Sequence, residues 1–183
     1  MNQHKILVRK ITHLTDARYF AAMGVDWISI ELNADPASFF LWHTLKDWVE
    51  GVKLAAEISM PDETLLAKTI IDAYPDGIIL NSLIVFDMPP DIQVFYDMKQ
   101  DDRVDLLHRD HLIIEYDPET NKNLLQNFDR NKIFLQSDWT PGTLDQLLES
   151  GYGGGICFSG GDEETKGMRD YAIMDDMLGR LLL

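Results

Sequence analysis

The fold is indicated by residues 5–32, KILVRKITHLTDARYFAAMGVDWISIEL. The apolar run KILVRKI predicts a β-strand, and the segment DARYFAAM after it predicts a helix for which Thr15 or Asp16 is a candidate N-cap. Gly24 is a typical C-terminal signal for that helix, and WISIEL predicts a second strand. A strand–helix–strand unit of this length predicts two parallel strands joined by a crossover helix.

The same alternation continues along the rest of the chain. Further strands are predicted at VKLAAEI, DGIIL, IQVFYDM, HLIIEYD, KIFLQS and GGICFS. Helical segments separate most of them, including DDRVDLLHR after the fifth strand and PETNKNLLQNF after the sixth. The pattern predicts a compact (β/α)8 TIM barrel that forms a single domain over residues 1–183. Pro89 and Pro90 predict a shortened or missing fourth helix. An open doubly wound sheet is the alternative, because 183 residues are few for a barrel.

Composition limits the function classes. The formal net charge of −15 argues against a general nucleic-acid binder, which needs clustered Lys and Arg. The sequence has no apolar run of about 18 residues, so no membrane span is predicted. It starts without a secretory signal pattern, and we expect a cytoplasmic protein. Cys157 is the only cysteine and the five histidines lack metal-ligand spacing, so neither a disulfide nor a metal site is predicted.

Motifs at the two ends of the sequence are specific enough to compare with a known family. They are Ile11-Thr12, Asp16-Ala17, Gly24 and Asp26 near the start, and Thr140-Pro141, Ser159-Gly160 and Gly167-Met168-Arg169-Asp170 near the end. In this order they resemble the phosphoribosylanthranilate isomerase family of tryptophan biosynthesis. The resemblance implies a TIM barrel. It also implies an aldose–ketose isomerase, an intramolecular oxidoreductase that performs an Amadori rearrangement of a sugar phosphate and needs no cofactor.

The resemblance also assigns catalytic positions. The family's first-strand cysteine, its catalytic base, falls on Arg9, and the glycine after it falls on Lys10. An arginine stays protonated and cannot act as a base. Lys10 could replace it only if strongly desolvated, and strand alternation puts it on the opposite face from Arg9. The sixth-strand acid falls on Glu115, or on Asp117 with a two-residue shift; otherwise these carboxylates are charge partners of Arg9 or solvated.

The implied phosphate site is only half retained. Its Gly-Gly pair after the seventh strand falls on Ser137 and Asp138, where a carboxylate disfavours an anion. Ser159, Gly160 and Gly161 match the second half, after the eighth strand. Candidate phosphate-binding residues are therefore Ser137, Ser159, Gly160 and Gly161. Their partner would be a small phosphorylated metabolite.

Two further features bear on the site. No arginine lies between Arg18 and Arg103, so the family's substrate-contacting arginine after the second strand has no counterpart, and the histidine common after the fourth strand appears as Asn81. The predicted strand ends carry carboxylates, which could hold a cation or a cationic ligand or could be solvated rim charges. The carboxylates are Glu31, Glu57, Asp97, Glu115, Asp117 and Asp138.

We therefore expect a divergent relative of the isomerase family that lacks its isomerase activity. One alternative is an active isomerase with an atypical base. The other is a non-catalytic small-molecule-binding or interaction protein. The aromatic helix SFFLWHTLKDWV is expected to pack against the barrel, although its aromatic content is also typical of an oligomer contact.

Overall fold

Eight parallel strands close into a barrel in the computed structural model, which describes residues 4–59, 62–82, 86–98, 110–117, 129–160 and 171–182. Each strand pairs with the next along the chain, and the eighth pairs with the first. This closed order confirms the predicted (β/α)8 barrel and excludes the open doubly wound sheet. The strands are β1 (Ile6–Arg9), β2 (Trp27–Glu31), β3 (Lys53–Ile58), β4 (Gly77–Leu80), β5 (Gln93–Met98), β6 (Asp110–Glu115), β7 (Ile133–Gln136) and β8 (Gly155–Ser159).

Helices lie outside the barrel between these strands. They are α1 (Leu14–Met23), α2 (Pro36–Trp48), α3 (Glu63–Lys68, continued by a π-helical turn over Thr69–Ala73), α4 (Pro141–Glu149) and α5 (Ala172–Leu182). Between β4 and β5, the described residues 81–82 and 86–92 contain no helix, which agrees with the predicted shortened or missing fourth helix. The helices predicted over 101–109 and 118–128 lie outside the described residues.

Capping residues start two helices soon after a strand ends. The Asp35 side chain accepts a hydrogen bond from the backbone of α2, and Pro36 occupies the first turn. At α4, Thr140 and Thr143 form a reciprocal capping box, again followed by a proline, Pro141. These caps set the residue at which each helix begins, and therefore the length of the loop after the preceding strand.

The start of α1 differs from the prediction. The helix begins at Leu14 with His13 as N-cap, so the prediction of Thr15 or Asp16 as the cap was wrong. Asp16 is buried within the first turn and accepts a hydrogen bond from the hydroxyl of Tyr171. Its carboxylate therefore ties α1 to the segment before α5, a tertiary role that local sequence does not reveal.

The inside of the barrel is filled in layers taken from alternate strands, as is usual for this architecture. Side chains of the outward face pack against helices around Phe20 and Trp42, while the inward face forms a separate apolar cluster. Two adjoining layers fill the centre and are buried. They consist of Leu7, Ala55, Phe95 and Phe134 from the odd-numbered strands and Ser29, Ile79, Ile113 and Cys157 from the even-numbered strands.

Polar residues lie on both sides of this apolar centre. A step of two residues along a strand keeps a side chain on the same face. Two residues after the odd-strand apolar layer comes the C-terminal layer, Arg9, Glu57, Asp97 and Gln136. Two residues before it comes the N-terminal layer, Lys5, Lys53, Gln93 and Lys132. The chain thus carries a polar layer of different composition near each end of the barrel.

Candidate functional site

Arg9 is the centre of the C-terminal layer. It ends β1, and only 5% of it is exposed. Its Nη1 donates to Gln136 Oε1 at 2.6 Å, its Nε donates to Glu57 Oε2 at 3.2 Å, and its Nη2 also bonds to Glu57. Nη2 forms an ion pair with Asp97 Oδ2 at 2.7 Å. One guanidinium therefore joins four strands, β1, β3, β5 and β7.

The C-terminal layer holds one guanidinium and two carboxylates. Burial alone would lower the pKa of Arg9, but the hydrogen bond and the charge of Glu57 outweigh it, so the pKa of the guanidinium is raised above its ordinary value. Glu57 is only 3% exposed and also accepts from Ser29 Oγ at 3.0 Å, whereas the Asp97 side chain is 36% exposed. One guanidinium thus meets two carboxylates, and the floor of this end disfavours an anionic ligand.

Lys10 follows Arg9 but lies in a different environment. Its side chain is exposed, so it lacks the desolvation that a lysine base would need. Its backbone has φ +58°, in the left-handed region that favours glycine, and its N–H donates to Ser29 Oγ at 3.1 Å. The position at which the resemblance implies glycine therefore keeps a glycine-like backbone with a lysine side chain.

Cys157 on β8 does not supply the catalytic base that the family resemblance implies. The side chain is completely buried, and its Sγ lies 3.6 Å from Gln136 Oε1. Burial raises the pKa of the thiol far above its usual range, so the thiolate does not form at ordinary pH. In this environment Cys157 packs as a small apolar residue.

The candidate acids lie at the same end of the barrel. Glu115 ends β6, is exposed, and pairs in register with Gln136, while Asp117 is half-buried just beyond the strand. The sequence interpretation offered both as charge partners of Arg9 or as solvated strand ends, and the partners of Arg9 include Glu57 and Asp97. Strand phase could have identified them, because each lies two residues beyond an inward apolar residue.

The described members of the candidate phosphate site lie at the C-terminal ends of the neighbouring strands β7 and β8. Ser159 pairs in register with Arg9, Ser137 is half-buried after β7, and Gly161 lies outside the described residues. The N–H of Gly160 donates to the carbonyl of Arg9 at 2.6 Å, so this amide is bonded to the backbone of β1. A Cβ at Gly160 would lie 2.7 Å from the same carbonyl, so close strand packing requires glycine here. Phosphate binding by these residues stays a prediction.

The remaining rim carboxylates are dispersed. Glu31 is exposed and accepts from Ser59 Oγ at 3.0 Å, and Asp138 is exposed after β7. Among the residues that the structure describes, no three His, Cys, Asp or Glu side chains are grouped closely enough to hold a metal ion. Within the same ranges, the helices are too short or too polar to cross a membrane.

Comparisons with known proteins identify the fold. The sequence matches no protein-family model and no curated protein. Among solved structures, N-(5'-phosphoribosyl)anthranilate isomerase from Pyrococcus furiosus matches with a TM-score of 0.73 and 10% identity, over 97% of this chain and 98% of that one. The enzyme from Thermus thermophilus matches with a TM-score of 0.71 and 15% identity, over 97% and 98%. The chain has the fold of the phosphoribosylanthranilate isomerases.

This shared fold does not fix the reaction. Mycobacterium tuberculosis tryptophan synthase matches with a TM-score of 0.68 and 10% identity, over 100% of this chain and 94% of that one. An isomerase and a tryptophan synthase thus match nearly the same architecture, and function has to be argued from the site. The resemblance noted in the sequence to the phosphoribosylanthranilate isomerases is confirmed for their fold.

Proposed function

We propose that this protein is a divergent relative of the phosphoribosylanthranilate isomerases that has kept the barrel and does not catalyse the isomerisation. The proposal rests on Arg9. It occupies the position that the resemblance assigns to the catalytic base, and its guanidinium is buried and bonded to Glu57, Asp97 and Gln136. A guanidinium has no lone pair available to take a proton from a substrate carbon.

The electrostatics of the same end support this proposal. The substrate named in the matching structures carries a phosphate and a carboxylate, so it is anionic. The C-terminal layer offers two carboxylates against one guanidinium, and the Glu115 carboxylate lies nearby on the rim. Anions are repelled from such an end unless local donors compensate, and the Gly160 amide already donates to Arg9.

A direct assay tests the proposal. The purified protein is incubated with phosphoribosylanthranilate beside a known active isomerase, and the loss of substrate is followed over time. We expect a rate equal to that of the uncatalysed reaction, and no rescue of a tryptophan auxotroph that lacks its isomerase. Turnover that falls in Glu115→Gln or Asp117→Asn would overturn the proposal, establish the active-isomerase alternative and name its acid.

A second candidate function is non-catalytic binding of a small molecule at the same end. Asp97 favours it, because its carboxylate is partly exposed at the floor of the barrel mouth and, among the residues that the structure describes, is paired with Arg9. Such a carboxylate accepts hydrogen bonds from hydroxyl or ammonium groups. The proposed ligand is therefore a neutral or cationic polar molecule.

Paired sugars separate this candidate from the predicted phosphorylated partner. Thermal unfolding is measured with ribose and with ribose 5-phosphate at equal ionic strength, since a ligand of the native state raises its apparent stability. Stabilisation by ribose that is lost in Asp97→Asn supports the neutral ligand. Stabilisation confined to ribose 5-phosphate and reduced in Ser159→Ala supports the phosphate site instead.

A further inference from the structure

The N-terminal layer gathers three lysines at the end of the barrel opposite the candidate site. Lys5 lies just before β1, Lys53 begins β3, and Lys132 lies just before β7. Each is two residues before an inward-facing apolar side chain, which puts all three at one level of the barrel, with Lys53 on the inward face of β3 and Lys132 at the end of a short 3-10 helix before β7. Lys5 and Lys53 are exposed and Lys132 is half-buried. Three ammonium groups thus surround one mouth of a protein whose net charge is −15.

A buried histidine lies directly inside this mouth. His111 on β6 is 9% exposed and is stacked on Phe95 with ring centroids 4.8 Å apart. One ring nitrogen, Nε2, is 3.1 Å from Gln93 Oε1, whereas the buried Nδ1 has no hydrogen-bond partner among the residues that the structure describes. The Nζ of Lys53 lies 4.9 Å from the centre of the Trp27 ring, which belongs to the same inward cluster. The lysine layer therefore covers an aromatic floor with an unsatisfied polar atom.

The lysines act on that histidine together. Burial, followed by the charges of Lys5, Lys132 and Lys53, lowers the pKa of His111 to about 4. The three charges therefore converge on one region, and the same convergence makes the mouth attractive to an anion. An ammonium group is a strong point-charge donor to phosphate oxygens.

Three carboxylates at this end lie on the outward face of their strands, not on the inward face. Asp26 and Asp76 each precede an inward residue by one position, so they lie on the outward face. They accept hydrogen bonds at 2.8 Å from the backbone N–H groups of Ile6 and Leu54. Asp110, which precedes His111, is buried on the same outward face. The inward positions of the odd strands at this level hold three lysines and Gln93 without a carboxylate.

We infer that the N-terminal mouth of the barrel binds a small polyvalent oxyanion, such as phosphate or pyrophosphate, through Lys5, Lys53 and Lys132. The anion would offset the repulsion among the ammonium groups and accept several of their hydrogen bonds at once. This site lies at the opposite end from Ser159 and Gly160, so it does not depend on the isomerase-like site or on the function proposed for it.

Pyrophosphate is the probe for a binding test on the full chain. The thermal midpoint is measured against pyrophosphate and against sodium chloride at matched ionic strength. We expect a saturable rise with pyrophosphate only. Each of Lys53→Gln and Lys132→Gln should weaken the affinity by about tenfold or more, because each removes a charge-assisted hydrogen bond. Lys68→Gln is the matched control, since it removes the same charge from exposed α3 and should leave the affinity unchanged.

A second measurement locates the anion. The pKa of His111, followed by the NMR shift of its ring protons, should rise from about 4 towards its ordinary value when pyrophosphate is saturating. Lys5→Gln serves as a further variant if Lys53→Gln lowers stability. The inference is overturned if pyrophosphate gives no stabilisation beyond that of chloride, or if its affinity is the same in the wild type, Lys5→Gln and Lys132→Gln. An unchanged pKa of His111 with bound pyrophosphate also overturns it.

Discussion

The two ends of the barrel use the same strands for opposite electrostatic arrangements. At the C-terminal end, the guanidinium of Arg9 is enclosed by Glu57, Asp97 and Gln136. At the N-terminal end, three lysines surround a neutral histidine whose Nδ1 has no partner in the part of the chain that the structure describes. The first arrangement pairs its guanidinium with carboxylates, whereas the second gathers ammonium groups at inward positions of the odd strands that hold no carboxylate. In this chain, the end that usually carries catalysis in TIM barrels is therefore the one whose charged groups are paired with each other.

This difference shows that the charged residues at each end of the barrel can vary while the barrel architecture stays the same. Both layers follow from the same two-residue repeat, as in Lys53, Ala55 and Glu57 along β3. A change of residue type at one end of a strand alters the chemistry of the barrel mouth at that end, while the apolar residues at the centre of the barrel remain. The same barrel fold can thus carry different chemistry at one end.

The largest expected effect comes from Arg9→Leu. The change leaves Glu57 buried without its charge partner, which should lower the free energy of unfolding by about 3–5 kcal/mol. Denaturant unfolding measures it. The double variant Arg9→Leu/Glu57→Leu should recover a large part of the loss, because it removes the unpaired carboxylate. A loss below about 1 kcal/mol in the single variant would show that the layer is not internally satisfied, and the contrast between the two ends would fail.

The next effect concerns His111 at the other end. The unfolded chain binds a proton near pH 6.5 and the folded chain only near pH 4, so the unfolded state binds more protons between these values. The free energy of unfolding should therefore fall as the pH falls from about 6.5 to about 4, by up to roughly 3 kcal/mol.

The matched variant for this pH effect is His111→Phe, which keeps the aromatic contact with Phe95 and removes the titrating group. Denaturant unfolding at several pH values gives both curves, and carboxylates contribute equally to each. The wild type should lose more stability than the variant over this window. Parallel curves would mean that burial and the lysines do not depress the pKa of the histidine.

Gly160→Ala is expected to have a smaller effect. The new Cβ would lie 2.7 Å from the carbonyl oxygen of Arg9, so β8 and β1 must shift apart. Overpacking of this kind costs about 1–3 kcal/mol in the free energy of unfolding. Gly153→Ala is the control, because a Cβ there meets no atom within 4 Å, and it should be close to neutral. Equal midpoints for the two variants would mean that the strand contact beside Arg9 is loose.

The smallest effect should be a gain in stability from Lys10→Gly. The residue has φ +58°, and glycine relieves the strain of this conformation while losing more chain entropy on folding. The net gain in the free energy of unfolding is expected to be up to about 1 kcal/mol. Lys10→Ala keeps a Cβ in the left-handed region and should give no gain. A similar gain in both variants would trace the effect to the removed charge.

The sequence predicts the barrel well, because the inward residues recur along short apolar strands and each strand carries its own local pattern. Thr140 and Pro141 likewise form a local capping signal for α4. It fails at the start of α1, where burial of Asp16 against Tyr171 overrides the capping preference. Tertiary contacts between distant segments have no local signal, so the true boundary could not be deduced.

The candidate site is predicted less completely. Arg9 is placed correctly at the end of β1 and the carboxylates are placed at the correct end of the barrel. Their pairing depends on the register of neighbouring strands, and Gln136 was not recognised because an amide carries no charge signal. Glu57 and Asp97 become predictable as partners only when the four odd strands are aligned by their inward apolar residues.

The backbone at Lys10 has a consequence for tracing ancestry. The lysine at this position differs from the glycine that the family resemblance implies, and the chain turns with φ +58° after β1. Backbone geometry here is constrained by both neighbouring strands, through the bond from Lys10 N–H to Ser29 and the contact of Gly160 with Arg9. A dihedral angle that is costly for the residue that adopts it is thus a feature to compare between barrels whose sequences do not match.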